Sequence, residues 1–535
     1  MVIFYEMNGT KKKTSCSNED LEFAIVDHAN RYILNVKALK DIKLLDARID
    51  FEYSFSSKDL YFMNGFQSWT DTKERRIYEV EKNIKKSPHI ITKMFAMDKY
   101  GDNHFYKYSL RTLHGFDVFY VKGHKEKFIY NINYNNAYLI IDLLKTRRKI
   151  RLTSDVDNMF IKAGDSQTVF DFKHFDSYEE GLNNFYTDFK KLNKKKMFGY
   201  SSWYNYYQDI NEDIILRDLD ALDDRFDLFQ IDDGYETFVG DWLDIDSKKF
   251  PNGLGEIVNK VHSKKMLAGI WLAPFVAEEK SKLFRERKDL FKRDEKGQFF
   301  KCGGNWSGFY ALDLENKDAQ EYIKESFKKY KDLGFDYFKL DFLYAATRPL
   351  YDGLTRAQVS AKYYKFLREI IGEDKIIDGC GASIMHSYNN FDYLRVGPDV
   401  SLKFNDVWFM KFFHRERIST KITLQNTIYR SIFNDHLFGN DPDVFLLRDN
   451  NIDLSLRQRQ AIITIASLFG NLLITSDDIA TYDDAKKKML EEAFDLYKNA
   501  TNKRFVSRGK EIDIYYTLNN KENKLTYLTR KGVFK

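Results

Sequence analysis

Residues Asp336–Ala346 read DYFKLDFLYAA. Apolar and aromatic residues surround one Lys and one Asp, two positions apart. Read as a strand, side chains alternate, so Lys339 and Asp341 share one face while Phe338, Leu340 and Phe342 take the other. A charged pair on an otherwise apolar strand is costly to bury unless the charges serve each other or a ligand. A salt bridge at a strand end and a functional site are both consistent with this stretch alone.

The segments around it set the fold class. Strand-like and helix-like stretches alternate on both sides. The strands are Phe198–Tyr206, Leu228–Ile231, Met266–Pro274, the opening stretch, Lys375–Gly381, Tyr393–Val396, His436–Asn440 and Leu472–Thr475. Helical patterns over Asn211–Leu222, Leu254–Lys264, Lys317–Leu333, Arg356–Ile371 and Leu456–Phe469 separate them. Eight such units over about 280 residues predict an α/β chain with a central (β/α)8 TIM barrel. An open doubly wound sheet fits less well, because no strand-linked GxGxxG or GxxxxGK[ST] occurs. Gln298–Leu314 is an insertion whose GGNWSG reads as a loop between two short strands. Residues 1–175 carry short, spaced, alternating runs that predict an N-terminal β-sandwich. The barrel is assigned to 176–495, and 496–535 to a small C-terminal β-sheet domain with strands Ile512–Leu518 and Leu525–Thr529.

The bulk numbers exclude several classes. The 535 residues include 85 basic and 80 acidic side chains, a net charge of +5 with no long basic run, so nucleic-acid binding is not expected. The three cysteines, Cys16, Cys302 and Cys380, give neither a disulfide framework nor a metal-ligand spacing. No leader-like N-terminus or apolar span is present, so a cytoplasmic chain without membrane association is expected. No cofactor or metal is called for, and self-association is left open.

Polar residues gather at the predicted C-terminal strand ends, where such barrels place their chemistry. Strand one ends at Trp203, strand two at Asp232 and Asp233, strand three near Trp271. Strand four carries Lys339 and Asp341, strand five ends at Cys380, and Arg395 and Asp399 stand at the end of strand six. Several carboxylates with one Lys, one Arg and several Trp suit carbohydrate hydrolysis, in which one carboxylate attacks and a second, protonated one assists departure. Lys339 beside Asp341 favours an anionic nucleophile there. Asp399 on its Gly-Pro-Asp turn suits the acid, although turn chemistry alone also explains that motif. Trp69, in Asn64–Trp69 (NGFQSW), reads either as a core Trp or as a loop-tip residue.

The motifs FQIDDG (Phe229–Gly234), GDW (Gly240–Trp242), GIWLAPF (Gly269–Phe275), KLDF (Lys339–Phe342), CGA (Cys380–Ala382), RVGPD (Arg395–Asp399) and NDPDVFLLR (Asn440–Arg448) occur in that order. Together they resemble the glycoside hydrolase family 36 α-galactosidases of melibiase type, across nearly the whole chain. The resemblance implies Asp341 as nucleophile and Asp399 as acid/base. It implies Asp232 and Asp233 as ligands of the galactose 4- and 6-hydroxyls, and Lys339 as a further hydroxyl contact. Cys380 and Arg395 match positions near the 2-hydroxyl, and Trp203 and Trp271 match subsite walls. Trp69 matches a sandwich-domain Trp that reaches the barrel mouth. GYSSWYNYY and CGASI depart locally from the family pattern, close to the sugar. The implied activity is retaining, exo-acting hydrolysis of terminal α-galactosides such as melibiose or raffinose-type oligosaccharides. An α-N-acetylgalactosaminidase, a transglycosylase and a non-catalytic sugar-binding barrel are the alternatives. Cys380 and Arg395 would crowd a 2-acetamido group and so argue against the first.

Overall fold

A computed structural model describes residues 1–79, 96–109, 111–406, 410 and 415–535. Its centre is a parallel sheet running in spatial order through strands Met197–Ser201, Leu228–Ile231, Leu267–Leu272, Tyr337–Leu340, Ile376–Gly379, Tyr393–Arg395 and Gly439–Asp441, with Leu472–Thr475 joining on the other side of Met197–Ser201. The seventh position is split. Gly439–Asp441 pairs with strand six, Val444–Phe445 pairs with strand eight, and Pro442-Asp443 bridges the pieces. Pro442 has no N–H to give to a ladder and Asp443 adopts φ 71°, so the chain steps sideways here and closes the circle. The result is a (β/α)8 barrel.

Helices between the strands are locally encoded. Arg356–Ile371 opens with a capping box from Thr355 and Gln358, and Leu456–Phe469 with one from Ser455 and Gln458. Lys317–Asp332 is capped by Asn316 and buries Ala319, Ile323, Phe327 and Tyr330 on one face.

The strands are shorter than the sequence suggests, and this matters for the site. The first ends at Ser201, and Trp203–Tyr206 forms a helical turn instead of extending it. The fourth ends at Leu340, so Asp341 and Phe342 already belong to the loop. Phe342 takes φ 54°, a left-handed conformation that disfavours a bulky side chain. That turn takes its ring out of the face assigned to it beside Phe338 and Leu340 and into the barrel mouth.

Two seven-stranded antiparallel sheets precede the barrel, and a four-stranded sheet of Thr501–Ser507, Glu511–Leu518, Lys521–Leu528 and Val533–Phe534 follows it. The two front sheets enclose their own core, including Leu34, Val36, Leu44, Phe119, Ile141, Leu152 and Phe172. No helix among the described residues is long and apolar enough to cross a membrane.

The front sheets also hold a buried acid. Asp117 is 3% exposed and accepts the Asn131 side-chain N–H at 2.8 Å and the Leu139 backbone N–H at 2.9 Å. Burial pushes its carboxyl up to about 7, against these donors. A folded value above the unfolded one stabilises the protein below about pH 4, and that contribution is lost as pH climbs toward 7. Asn suits the φ of 61° at this position and can accept both N–H groups. Asp117→Asn is therefore expected to raise stability at pH 8 by on the order of 2–4 kcal/mol and to give no gain at pH 4. Thermal melts at the two pH values check this.

Candidate active site

Loops at the C-terminal ends of the barrel strands enclose a cavity of about 270 Å3, of a size for one small ligand. Trp69, Trp203, Asp232, Asp233, Trp271, Trp306, Lys339, Asp341, Phe342 and Asp399 are among its lining residues. The structure thus brings eight of the ten residues singled out from the sequence to one cavity. Cys380 and Arg395 lie behind its wall, 0% and 3% exposed.

On strand four, the Lys339 ammonium pairs with Asp232 Oδ2 at 2.9 Å, not with Asp341. Burial works against that ammonium, but the Asp232 charge outweighs it and holds the group protonated. The Asp341 carboxylate instead accepts the Trp271 indole N–H at 3.1 Å on Oδ2 and the Phe342 backbone N–H at 2.8 Å on Oδ1. Two neutral donors thus fix its rotamer, and the strained Phe342 turn supplies one of them.

The Asp232-Asp233 pair is built into a network. Asp232 accepts Gln230 Nε2 at 2.7 Å and the Asp233 backbone N–H at 2.9 Å. Asp233 accepts Gln208 Nε2 at 2.9 Å on Oδ1 and Trp306 Nε1 at 2.9 Å on Oδ2. Burial raises the Asp233 carboxyl, and Asp232 adds to the rise.

Arg395, at the end of strand six, holds three carboxylates. Its Nε donates to Asp441 at 2.9 Å, Nη1 to Asp399 at 3.0 Å, and Nη2 lies 2.9 Å from Asp443. Burial pushes the Asp443 carboxyl up to about 6, opposed by Arg395. Asp399 keeps a third of its side chain open to the cavity. Enclosure by the barrel mouth raises its carboxyl, Arg395 opposes the rise, and Asp341 reinforces it. A carboxyl raised by its surroundings retains a proton to give.

Trp69 comes from the same chain. The loop that carries it docks by its backbone: Ser68 N–H donates to Ala382 O at 2.9 Å, and Gly381 N–H donates to Ser68 Oγ at 2.9 Å. The buried Arg430 guanidinium donates to the carbonyls of Gln67 and Ser68. The Trp69 indole N–H then donates to the Cys380 sulfur at 3.2 Å, and its ring meets Phe342 edge-on at 5.1 Å. Burial pushes the Cys380 thiol well up, so it accepts as a neutral sulfur. Cys380 and Arg395 therefore act on the cavity through Trp69 and Asp399. Direct crowding of a 2-acetamido group by these two side chains does not follow from their positions.

Sequence reasoning missed Trp306, which lines the cavity, stands 6.1 Å from Trp271 ring to ring and bonds Asp233. The Gly-rich GGNWSG insertion was a readable signal, since a Trp at φ 54° between glycines is placed by its loop and not by a core. Asp441 and Asp443 were also missed, although the Pro in NDPD marks the broken strand.

A (β/α)8 barrel with an N-terminal pair of antiparallel sheets, and a mouth lined by carboxylates and indoles, is the architecture of a carbohydrate-active enzyme. Residues 179–377 match the Melibiase family model, a span that takes in the first four of the ordered motifs, FQIDDG, GDW, GIWLAPF and KLDF. Among curated proteins, α-galactosidase Mel36A of Lactobacillus acidophilus is 27% identical over 198 residues, which cover 34% of this chain and 26% of that protein. An α-galactosidase of Escherichia coli is 27% identical over 182 residues, covering 32% of this chain and 25% of that one. The aligned stretches thus span about a quarter of the length of these relatives. Among solved structures, TtGalA, an α-galactosidase from Thermus thermophilus in complex with p-nitrophenyl α-D-galactopyranoside, superposes with a TM-score of 0.71 at 24% identity, over 94% of this chain and 98% of that one. AgaA from Geobacillus stearothermophilus, in complex with raffinose, superposes with a TM-score of 0.61 at 13% identity, over 95% and 72% of the two chains. These likenesses establish the fold.

Proposed function

We propose that the protein is a retaining, exo-acting α-galactosidase that hydrolyses terminal α-D-galactosyl residues of melibiose- and raffinose-type oligosaccharides. One observation carries the reading: a single-sugar cavity lined by the donor-fixed Asp341, the raised Asp399 and the paired Asp232 and Asp233. A pocket closed by Trp69, Trp271, Trp306 and Phe342 favours a chain end over an internal sugar. The ligands named for the similar structures, p-nitrophenyl galactoside and raffinose, are of this class.

The roles follow from the chemistry. Asp341 attacks the anomeric carbon while Asp399 gives its proton to the departing glycosidic oxygen, so the C1–O bond breaks as the Asp341–C1 bond forms. The deprotonated Asp399 then takes a proton from water, whose oxygen displaces Asp341 and regenerates both groups. Asp232, Asp233 and Lys339 bind hydroxyls, and a site built on such bonds rejects sugars that misplace them. Trp203 and Trp271 offer ring faces to sugar C–H groups.

Proton NMR of the galactose released from an aryl α-galactoside tests the reading. α-Galactose is expected to form first and to mutarotate later. First release of β-galactose would show inversion, and absence of turnover on a panel of α-galactosides would remove the activity.

A further inference from the structure

Asp399 sits on a turn, and the direction of its side chain follows from how the backbone of that turn is held. Three carbonyls of the turn are gripped from one side. Val396 O accepts Asn426 Nδ2 at 3.1 Å and Arg430 Nη1 at 2.7 Å, Pro398 O accepts the Thr423 hydroxyl, and Asp399 O accepts the Ser419 backbone N–H at 3.0 Å. These donors belong to the helix Thr420–Tyr429, its capping Ser419 and the Arg430 that follows it. The next N–H is held by a different element: Val400 donates to Asp443 Oδ2 at 2.7 Å. The carbonyl and N–H of a trans peptide point opposite ways, so these last two bonds pin the Asp399–Val400 peptide from both sides.

Asp443 is itself tightly seated. It is 1% exposed and lies in the strand-seven break, where its own N–H donates to Asp441 Oδ1 at 2.8 Å. The Tyr204 phenol, from the helical turn after strand one, donates to the same Oδ2 that holds Val400. Oδ1 lies 2.9 Å from Arg395 Nη2, and Arg395 Nη1 donates to Asp399 at 3.0 Å. One buried side chain thus reaches Asp399 twice, through the peptide that follows it and through its guanidinium partner.

The geometry points to Asp443 as a positioning residue: from the strand-seven break it holds the Val400 N–H and so aims Asp399 at the glycosidic oxygen. This rests on the proposed acid role of Asp399 and deepens it. Asp443 is not among the residues that line the cavity, so it acts without touching substrate. A residue that served the strand break alone would need its bonds to Arg395 and to its own strand. The bond to Val400 does nothing for the break and is made to the acid's turn.

The test compares kcat/KM on 2,4-dinitrophenyl and phenyl α-galactoside at neutral pH for wild type, Asp399→Asn, Asp443→Gly and Asp443→Asn, with thermal midpoints as a folding check. Dinitrophenolate departs without a proton, whereas phenolate needs the acid, so a misaimed acid penalises the phenyl substrate selectively. A smaller folded fraction lowers both rates alike. Asp399→Asn sets the mark of a missing acid, a loss of about 10^2-fold or more on the phenyl substrate and little on the other. Gly accepts the φ of 71° and removes the carboxylate. Asp443→Gly is expected to lower the phenyl rate about tenfold further than the dinitrophenyl rate. Asn also suits that φ and keeps an oxygen for Val400 and Tyr204, so its ratio of the two rates should stay within about threefold of wild type. An unchanged ratio in Asp443→Gly, or an equal change in Asn and Gly, would overturn the inference. If Asp443→Gly does not fold, Tyr204→Phe decides: it strips the phenol from Asp443 Oδ2 and should move the ratio the same way by about threefold, and no movement would overturn the inference. No selective loss in Asp399→Asn, or a wild type without turnover, would instead sink the proposed function.

Discussion

Asp341→Asn is expected to lower turnover of an aryl α-galactoside by about 10^3-fold or more, some 4 kcal/mol of barrier, with the fold intact by circular dichroism. Asn keeps the shape and can still accept the Trp271 and Phe342 N–H groups that fix Asp341 at 3.1 Å and 2.8 Å. Galactose binding should survive, because Asp232, Asp233 and Lys339 are untouched. What is lost is the negative oxygen that attacks the anomeric carbon. Asp341→Gly refines the test, since it opens the same volume to a small anion. Azide added to that variant with an activated aryl substrate should take the place of the missing carboxylate and give β-galactosyl azide, the inverted product. Near-normal turnover by Asp341→Asn would remove Asp341 from the reaction. A rescued product of retained configuration would assign it a role other than nucleophile.

The sequence carried the barrel well, because a barrel is written in alternation and in the polarity of strand ends. FQIDD and RVGPD each place a carboxylate just past an apolar run, where a strand must stop. It carried the partners of those carboxylates poorly. Lys339 and Asp341 are two residues apart, which suggested a pair. Yet the strand ends at Leu340, the chain turns at Phe342, and the ammonium reaches across to Asp232 on strand two. Spacing along one strand says nothing about which neighbour across the barrel is nearer. Trp69 was ambiguous for a related reason. Its burial, at 7% exposure, suits a core residue, but it is buried in the barrel mouth and not inside its own sheets. Only the docking of Ser68 on Gly381 and Ala382 separates the two cases, and those contacts span more than 300 positions.

Arg395→Met should have the largest effect on stability together with a diagnostic effect on pH dependence. The guanidinium is 3% exposed and meets Asp399, Asp441 and Asp443 at 3.0, 2.9 and 2.9 Å. Removing one partner from a buried ion cluster leaves charges unpaired and costs about 3–5 kcal/mol. The penalty should shrink in acid. Asp443 already stands near 6 with Arg395 opposing its burial, so without that cation it takes up a proton more readily still. Melting curves should therefore show a larger loss at pH 8 than at pH 5, and an equal loss at both would refute the ion-cluster account. The catalytic readout is independent. Arg395 favours the carboxylate form of Asp399, so its removal leaves Asp399 protonated to higher pH. Where enough enzyme remains folded, the alkaline limb of kcat/KM, which reports the free enzyme's acid, should move upward. A limb that stays in place would mean that Arg395 shapes the strand-seven break without tuning the acid, and a limb that moves downward would contradict the sign of the interaction.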